Sequence, residues 1–256
     1  MKDLKITVIT VCYNAVGFIE DTILSVVNQT YDNIEYIIID GGSTDGTVDL
    51  IRKYDDKIDC WVSEPDKGIY DAMNKGIKIA TGDFINFMNA GDTFFSNAVI
   101  SCLVPQIERD STIVYGDTMY VYSQGEKFIK PLSSDNMLKR MFFNHQSSFS
   151  KSQTLKSMLF DTSYKLSADY KYHYDVFKMG GKFQYVPLVI ARYDAQNGVS
   201  AKHISLMYWE YGRVQGKVDS LKWKVSYLFR ISLYNIKKTV KYFVPVKFLM
   251  LKNGIK

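Results

Sequence analysis

Tyr36-Ile37-Ile38-Ile39-Asp40-Gly41-Gly42-Ser43-Thr44-Asp45-Gly46-Thr47 is the stretch on which the reading of this chain turns. Its unbroken apolar run fits a strand buried on both faces, the habit of parallel sheets. The run stops at an acid and two glycines. A Ser-Thr pair then offers Ser43 or Thr44 as the cap of a helix reaching to about Tyr54. In open α/β sheets ligands sit just beyond the carboxyl ends of the strands, so a carboxylate there is a candidate ligand contact. The plain alternative is a strand, a Gly turn and a cap with no binding role.

Outward from that stretch, strand and helix alternate. Residues 5–12 (KITVITVC) predict a β-branched strand, and Phe18, Ile19, Ile23, Val26 and Val27 recur at helical spacing. Residues 60–62 predict a short strand. Ile69, Ala72, Met73, Gly76, Ile77 and Ala80 share one face of an amphipathic helix, and residues 83–88 predict a fourth strand ending at Asn89-Ala90-Gly91-Asp92. Repeated β-α-β units make this an α/β fold with a parallel sheet. After about residue 110 the pattern changes. Residues 112–122 and 127–130 predict a hairpin around Ser123-Gln124-Gly125, and residues 138–143 a short helix. A helix is expected over 169–179, stopped by Gly180-Gly181, followed by a strand over 183–193 interrupted at Pro187.

Composition narrows the function classes. Cys12, Cys60 and Cys102 are scattered, which argues against a zinc site or a disulfide framework and fits a reducing compartment. The N-terminus runs into a strand without an apolar leader, so secretion is not expected. No uncharged apolar run approaches the roughly 18 residues that span a bilayer. Residues 1–200 carry 20 Lys and Arg against 25 Asp and Glu, whereas residues 201–256 carry 12 against 2. A mildly acidic body thus bears a basic tail.

Three strand ends carry polar groups: Thr10 to Asn14, Asp40 to Asp45 and Asn89 to Asp92. In a parallel sheet they line one edge, with Asp40 and Asp92 across a crevice and Tyr13 available to stack. Each taken alone is as well explained as a turn residue or a cap.

At these motifs the chain resembles an inverting family 2 glycosyltransferase of the bacterial polysaccharide type. The matching stretches are residues 8–14 (VITVCYN), 22–30 (TILSVVNQT), 39–45 (IDGGSTD), 71–76 (DAMNKG), 80–83 (ATGD) and 86–92 (NFMNAGD). The second half matches through His145-Gln146 and Ser167-Ala168-Asp169-Tyr170. The resemblance implies a GT-A fold: a Rossmann-like, mostly parallel sheet flanked by helices, with a C-terminal helical extension. The implied division is a catalytic domain over 1–200 and a basic amphipathic extension over 201–256. Residues 1–110 would form the nucleotide-binding half and 111–200 the acceptor-binding half.

The resemblance also implies roles. Thr10, Tyr13 and Asn14 would line the nucleotide pocket, and Asp40 would accept the imide N–H of a uracil. Asp92 would hold a divalent cation, Mg2+ or Mn2+, that neutralises a diphosphate leaving group. Asp169 would be the general base for the acceptor hydroxyl; its plain alternative is an acid at a helix N-terminus. Family members usually carry several acids where this chain has Asn89-Ala90-Gly91-Asp92, so the expected metal site is low in charge. His145 is a candidate additional metal ligand, or a structural histidine. Met73 stands where the family often has Arg, which leaves Lys67 as the candidate cation for the diphosphate. Asp66 is a candidate nucleoside contact, or a turn residue.

The expected activity is therefore transfer of a sugar, with inversion, from a nucleoside-diphosphate sugar to a carbohydrate or polyprenyl-linked acceptor in cell-surface polysaccharide biosynthesis. A UDP-sugar is the expected donor. The alternatives are a nucleotidyltransferase and a degenerate transferase that keeps only nucleotide binding. Against the former, TVCYNAVG (residues 10–17) has one Gly and no cation. From Leu221 the tail interleaves Lys and Arg with aromatic and aliphatic residues, the composition of a helix lying at a membrane surface. Its alternatives are packing on the body and a homodimer contact. Nucleic acid is not an expected partner. The expected location is cytoplasmic, peripheral on the inner face of the cell membrane.

Overall fold

β1 (Ile6–Cys12) is buried at every position and stands inside the sheet. The computed structural model describes residues 4–195 and 203–243. The chain divides into two units, Met1–Lys202 and His203–Lys256. The 200/201 boundary expected from composition, and the end of the basic tail at 244–256, lie outside the described residues.

In the first unit β1 is followed by α1 (Ile19–Val27), β2 (Ile34–Asp40), α2 (Thr47–Lys53), β3 (Cys60–Ser63), α3 (Ile69–Ile79) and β4 (Phe84–Phe87). β2 and β4 pair parallel on either side of β1, and β3 pairs parallel on β2. Ile6, Val8, Ile38, Ile19 and Ile23 pack in the core between sheet and helices. The register sets Cys12 opposite Asp40 and Asp40 opposite Ser63, so three strands end level. The chain beyond β4 keeps to β1 through Met88 N–H to Ile9 O and Ala90 N–H to Val11 O, which brings Asp92 to the same edge.

The second half is mixed. It holds β5 (Thr93–Phe94), α4 (Val99–Leu103), β6 (Ile113–Tyr122), β7 (Gly125–Ile129), β8 (Ser148–Lys151), α5 (Ser152–Met158), α6 (Ala168–Lys178) and β9 (Phe183–Asp194). The nine-stranded sheet runs β3-β2-β1-β4-β8-β6-β9-β5, with β7 hairpinned on β6. β8 is antiparallel to both β4 and β6, and joins the two halves.

Several expectations need correction. Neither Ser43 nor Thr44 caps the second helix, which starts at Thr47 behind Gly46. Asp45 does the local work, accepting from Thr47 N–H at 3.0 Å and from the Thr47 hydroxyl at 2.6 Å. Residues 138–143 are not a helix. A 3-10 turn at Ser134–Leu138 precedes them, and Phe142 accepts from Leu132 N–H at 2.8 Å. Strand β9 is not broken at Pro187. The ladder with β6 slips between Tyr115/Tyr185 and Asp117/Val189, and the bulge absorbs a residue that has no N–H to give. β5, α4, β8 and α5 had no signal in the sequence pattern; they are short, and pairing or packing partners hold them.

The second unit holds α7 (Ile204–Val214) and α8 (Leu221–Phe243). Trp209, Trp223 and Tyr227 pack ring on ring between them, and the Tyr227 hydroxyl donates to Ser205 O at 3.2 Å. A side chain at Gly212 would strike Trp223, whose ring atoms lie 2.1 Å from an added Cβ. Leu221, Val225, Leu228, Phe229 and Ile236 remain exposed along α8. Among the described residues, no helix is long and apolar enough to cross a membrane.

Candidate active site

Asp40 organises the level strand ends. Its side chain is fully buried and accepts from Gly42 N–H (3.1 Å), Ser43 N–H (2.9 Å), the Ser63 hydroxyl (2.6 Å), the Ser43 hydroxyl and the Cys12 thiol (3.4 Å). Burial works against its charge. The bonds from Ser43, Ser63 and Cys12 outweigh burial and hold the carboxyl below its ordinary range. A carboxylate offers about four lone-pair sites, and these donors take them all. In this structure Asp40 therefore organises the loop through its own hydrogen bonds. Asn14, at φ 47°, works with it: its N–H donates to Ser43 Oγ at 2.7 Å and its Oδ1 accepts from Thr44 N–H at 3.0 Å. Thr10 is also buried, donating to Met88 O at 2.8 Å and lying 3.0 Å from the Tyr36 hydroxyl. Its side chain ties the sheet together and does not line an open pocket.

The open carboxylate on this edge belongs to Asp66. A Cβ added at Gly41 would lie 2.5 Å from Asp66 Oδ2 and 3.4 Å from the Tyr13 ring, so the bare glycine gives room to both. Asp66 Oδ1 accepts from Gly68 N–H at 2.7 Å, and no hydrogen bond to Oδ2 is present among the described residues. Tyr13 is 66% exposed, an unusual place for a tyrosine with no packing duty. Lys75 fixes the loop that presents Asp66 and Lys67, bonding Pro65 O at 3.0 Å and Glu64 at 2.8 Å.

Asp92 is nearly buried, with 6% exposure. Its Oδ2 accepts from Gln146 Nε2 at 2.8 Å and its Oδ1 from Asp194 N–H at 3.0 Å. Burial pushes its carboxyl up to about 7 despite those bonds, and the charge of Asp194 adds to the rise. Two lone pairs remain for a cation. Nearby, Asn89 Oδ1 is buried without a hydrogen-bond partner, a second hard oxygen on the same loop. Among the described residues no group of three or more His, Cys, Asp or Glu is placed to hold a metal ion. One carboxylate and one amide oxygen suit a hard cation carried mostly by the substrate's phosphates, as Mg2+ commonly is. Both ring nitrogens of His145 are buried without a hydrogen-bond partner among the described residues. Its ring stacks on Phe87 at 5.2 Å and meets Phe160 at 6.0 Å, and burial lowers its proton affinity, so it is a neutral aromatic neighbour.

Asp169 lies in the first turn of α6, and its Oδ1 accepts from the Tyr70 hydroxyl at 2.9 Å. Tyr70 stands at the start of α3, ninety-nine residues away in sequence, so only the fold pairs them. His173 Nδ1 lies 2.7 Å from Asp169 O. A carbonyl can only accept, so that nitrogen carries the proton. Burial lowers His173 to about 3, with the neighbouring His145 adding to the effect. Asn74 clamps the segment before α6, bonding Phe160 O and Phe160 N–H, each at 2.8 Å. Burial first, then the charges of Asp92 and Asp169, pushes the Tyr193 hydroxyl well above the tyrosine range.

A strand-end edge with an exposed tyrosine, an open carboxylate, a near-buried acid and a tyrosine-held acid can be compared with known proteins. The family model for glycosyl transferase family 2 matches residues 7–175. The chain belongs to that family. An uncharacterised glycosyltransferase of Mycobacterium tuberculosis is 40% identical over 97 residues, covering 38% of this chain and 37% of that protein. The chain thus matches little more than a third of the length of that relative. A PGL/p-HBAD biosynthesis glycosyltransferase of Mycobacterium bovis is 26% identical over 183 residues, covering 69% and 71% of the two chains. Among solved structures, Staphylococcus aureus TarS superposes with a TM-score of 0.64 at 15% identity, covering 82% of this chain and 43% of that one. A mannosyltransferase from Pyrobaculum calidifontis, solved with GDP-mannose and Mn2+, gives 0.63 at 19% identity, covering 82% and 64%. At such identities these likenesses establish the GT-A fold.

Within this family 2 glycosyltransferase, sequence reasoning singled out Asp66 and Asp169 but missed what surrounds them. Tyr70 sits beside a quoted motif and Gln146 within one, and neither had an assigned role. Tyr193 and Asp194 end a strand whose arrival at Asp92 is a tertiary event.

Proposed function

We propose that the protein is an inverting, metal-assisted sugar transferase using a UDP-sugar and a carbohydrate or polyprenyl-linked acceptor. The observation that carries this reading is the pairing of the exposed Tyr13 ring with the free Asp66 Oδ2 at Gly41. A uracil ring stacked on Tyr13 would place its imide N–H against that acceptor. Lys67 follows Asp66 and is the cation offered to the diphosphate. Asp92, with Asn89 Oδ1, would hold the divalent cation, which supplies charge neutralisation to the departing diphosphate. Asp169, oriented by Tyr70, would take the proton of the acceptor hydroxyl as that oxygen attacks the anomeric carbon from the face opposite the diphosphate.

The similarity to a PGL/p-HBAD biosynthesis glycosyltransferase supports a cell-surface product. The exposed apolar stripe of α8, flanked by Lys222, Lys224 and Arg230, supports peripheral contact with an anionic membrane from the cytoplasmic side. A homodimer through the same stripe is the competing occupant. The near-neutral, doubly bonded Asp92 favours a second reading, a nucleotide-binding module without catalysis. Calorimetric titration with UDP and Mn2+, followed by UDP-release assays over a donor panel, separates the two. UDP binding with release is expected. Metal-dependent UDP binding without turnover for any donor and acceptor supports the module, and absence of UDP binding refutes both.

A further inference from the structure

Away from the nucleotide edge, β6, β7 and the connection from Ile129 to Asn144 enclose a cavity of about 310 Å3. That volume lies at the small end of ligand sites, which run from about 300 to 1,000 Å3. We propose that this cavity seats the acceptor, and that the acceptor sugar it takes carries an anionic group, a carboxylate or a phosphate ester. The proposal rests on the transferase reading above.

Charge is the first argument. Lys130 and Arg140 line the cavity and no acid does. Among the described residues neither cation has an ion pair; the Lys130 ammonium lies over the Tyr185 ring at 5.7 Å. Residues 1–200 are net acidic, yet the lining of this cavity is net positive. A guanidinium and an ammonium converging on a pocket are matched to carboxylate or phosphate oxygens.

The second argument is position. Tyr120 lines the cavity, and its ring centroid is 5.1 Å from that of Tyr193. Tyr193 precedes Asp194, whose N–H donates to Asp92 Oδ1 at 3.0 Å, so the cavity wall touches the strand end that holds Asp92. The wall is also tied to both Asp92 and Asp169. Asn144 Oδ1 accepts from Gln146 N–H at 3.0 Å, and Gln146 holds Asp92. Tyr170, next to Asp169, donates to Met137 O at 2.7 Å within the connection. Thr118 and Asn144 add neutral polar groups, and Tyr120 and Phe142 supply faces against which a sugar ring packs.

The test uses the full chain saturated with UDP and Mn2+, so that the donor edge is filled. Methyl β-glucuronide, glucose 1-phosphate and methyl β-glucoside are titrated by ligand-observed NMR. An anionic probe should bind at least about tenfold tighter than the neutral glucoside, as expected for one charge-assisted pair. Glucuronide binding alone would assign a uronic acid, and glucose 1-phosphate alone a phosphate such as that of a lipid-linked sugar; binding of both would assign recognition of charge. The doubly substituted Lys130→Ala, Arg140→Ala protein should lose that preference while keeping its UDP affinity, because both side chains are exposed. Equal affinity for neutral and anionic probes, or an unchanged preference in the double variant, overturns the proposal. Failure of the wild type to bind UDP would strike the donor reading instead, and is seen separately.

Discussion

Asp66→Asn changes one acceptor into a donor and leaves its surroundings intact. In the wild type Asp66 Oδ1 is engaged by Gly68 N–H at 2.7 Å, and Oδ2 faces Gly41 and the Tyr13 ring. Asparagine keeps the first bond through its own Oδ1 and presents an NH2 where Oδ2 stood. A uracil imide N–H then loses a bond to a charged acceptor, a class that contributes about 1.5–3 kcal/mol. At about 1.4 kcal/mol per decade this is a roughly 10- to 150-fold rise in the Kd for UDP. Cytosine carries an acceptor at the same ring position, so CDP should lose little and the UDP-to-CDP preference should fall by at least that factor. Calorimetric titration of both nucleotides against wild type and variant reads the two numbers directly. Gly41→Ala is a companion, since its methyl would displace the carboxylate from 2.5 Å and should mimic the loss. An unchanged UDP-to-CDP ratio in Asp66→Asn refutes the assignment, and would return base recognition to Asp40 in a rearranged loop.

Asp169→Asn should keep UDP affinity and lose transfer. Tyr70→Phe should lower turnover, because the bond that orients one oxygen of the base is removed; wild-type turnover in both variants sinks the base assignment. Asp92 gives a signed pH effect. Its folded-state affinity for a proton is raised from the ordinary 3.8 to about 7, so its stabilising contribution is full at low pH and is lost as pH rises through 7. Asp92→Asn should flatten that fall in thermal melts. In the wild type, Mn2+-dependent UDP binding should strengthen over the same rise, as the carboxylate ionises; a flat wild-type profile contradicts the shift. Leu228→Glu with Phe229→Glu should abolish sedimentation with anionic phosphatidylglycerol vesicles without altering UDP affinity, since both side chains are exposed on α8. Persistent sedimentation would remove that stripe from the membrane role.

Local sequence carried much of this protein. The apolar runs of β1 and β2 and the one-faced pattern of α3 are short-range signals, and the strand-end placement of Asp40 and Asp92 followed from them. The motifs over the first hundred residues, with Asp169 further on, identified the family before any coordinates.

Tertiary structure decided what surrounds each acid. In sequence, Asp40 ends an apolar strand and Asp66 sits in a loop, and both were candidate nucleoside contacts. Register places Cys12 and Ser63 on either side of Asp40 and saturates it, while Gly41 leaves Asp66 Oδ2 open beside Tyr13. The affinity of Asp92 for its proton depends on burial and on Gln146 and Asp194, which arrive from 54 and 102 residues away. Periodicity and motif are properties of neighbours in the chain, and a sequence displays them. Desolvation and hydrogen-bond saturation are properties of neighbours in space, and here those neighbours are brought together only when β8 and β9 close on the parallel half.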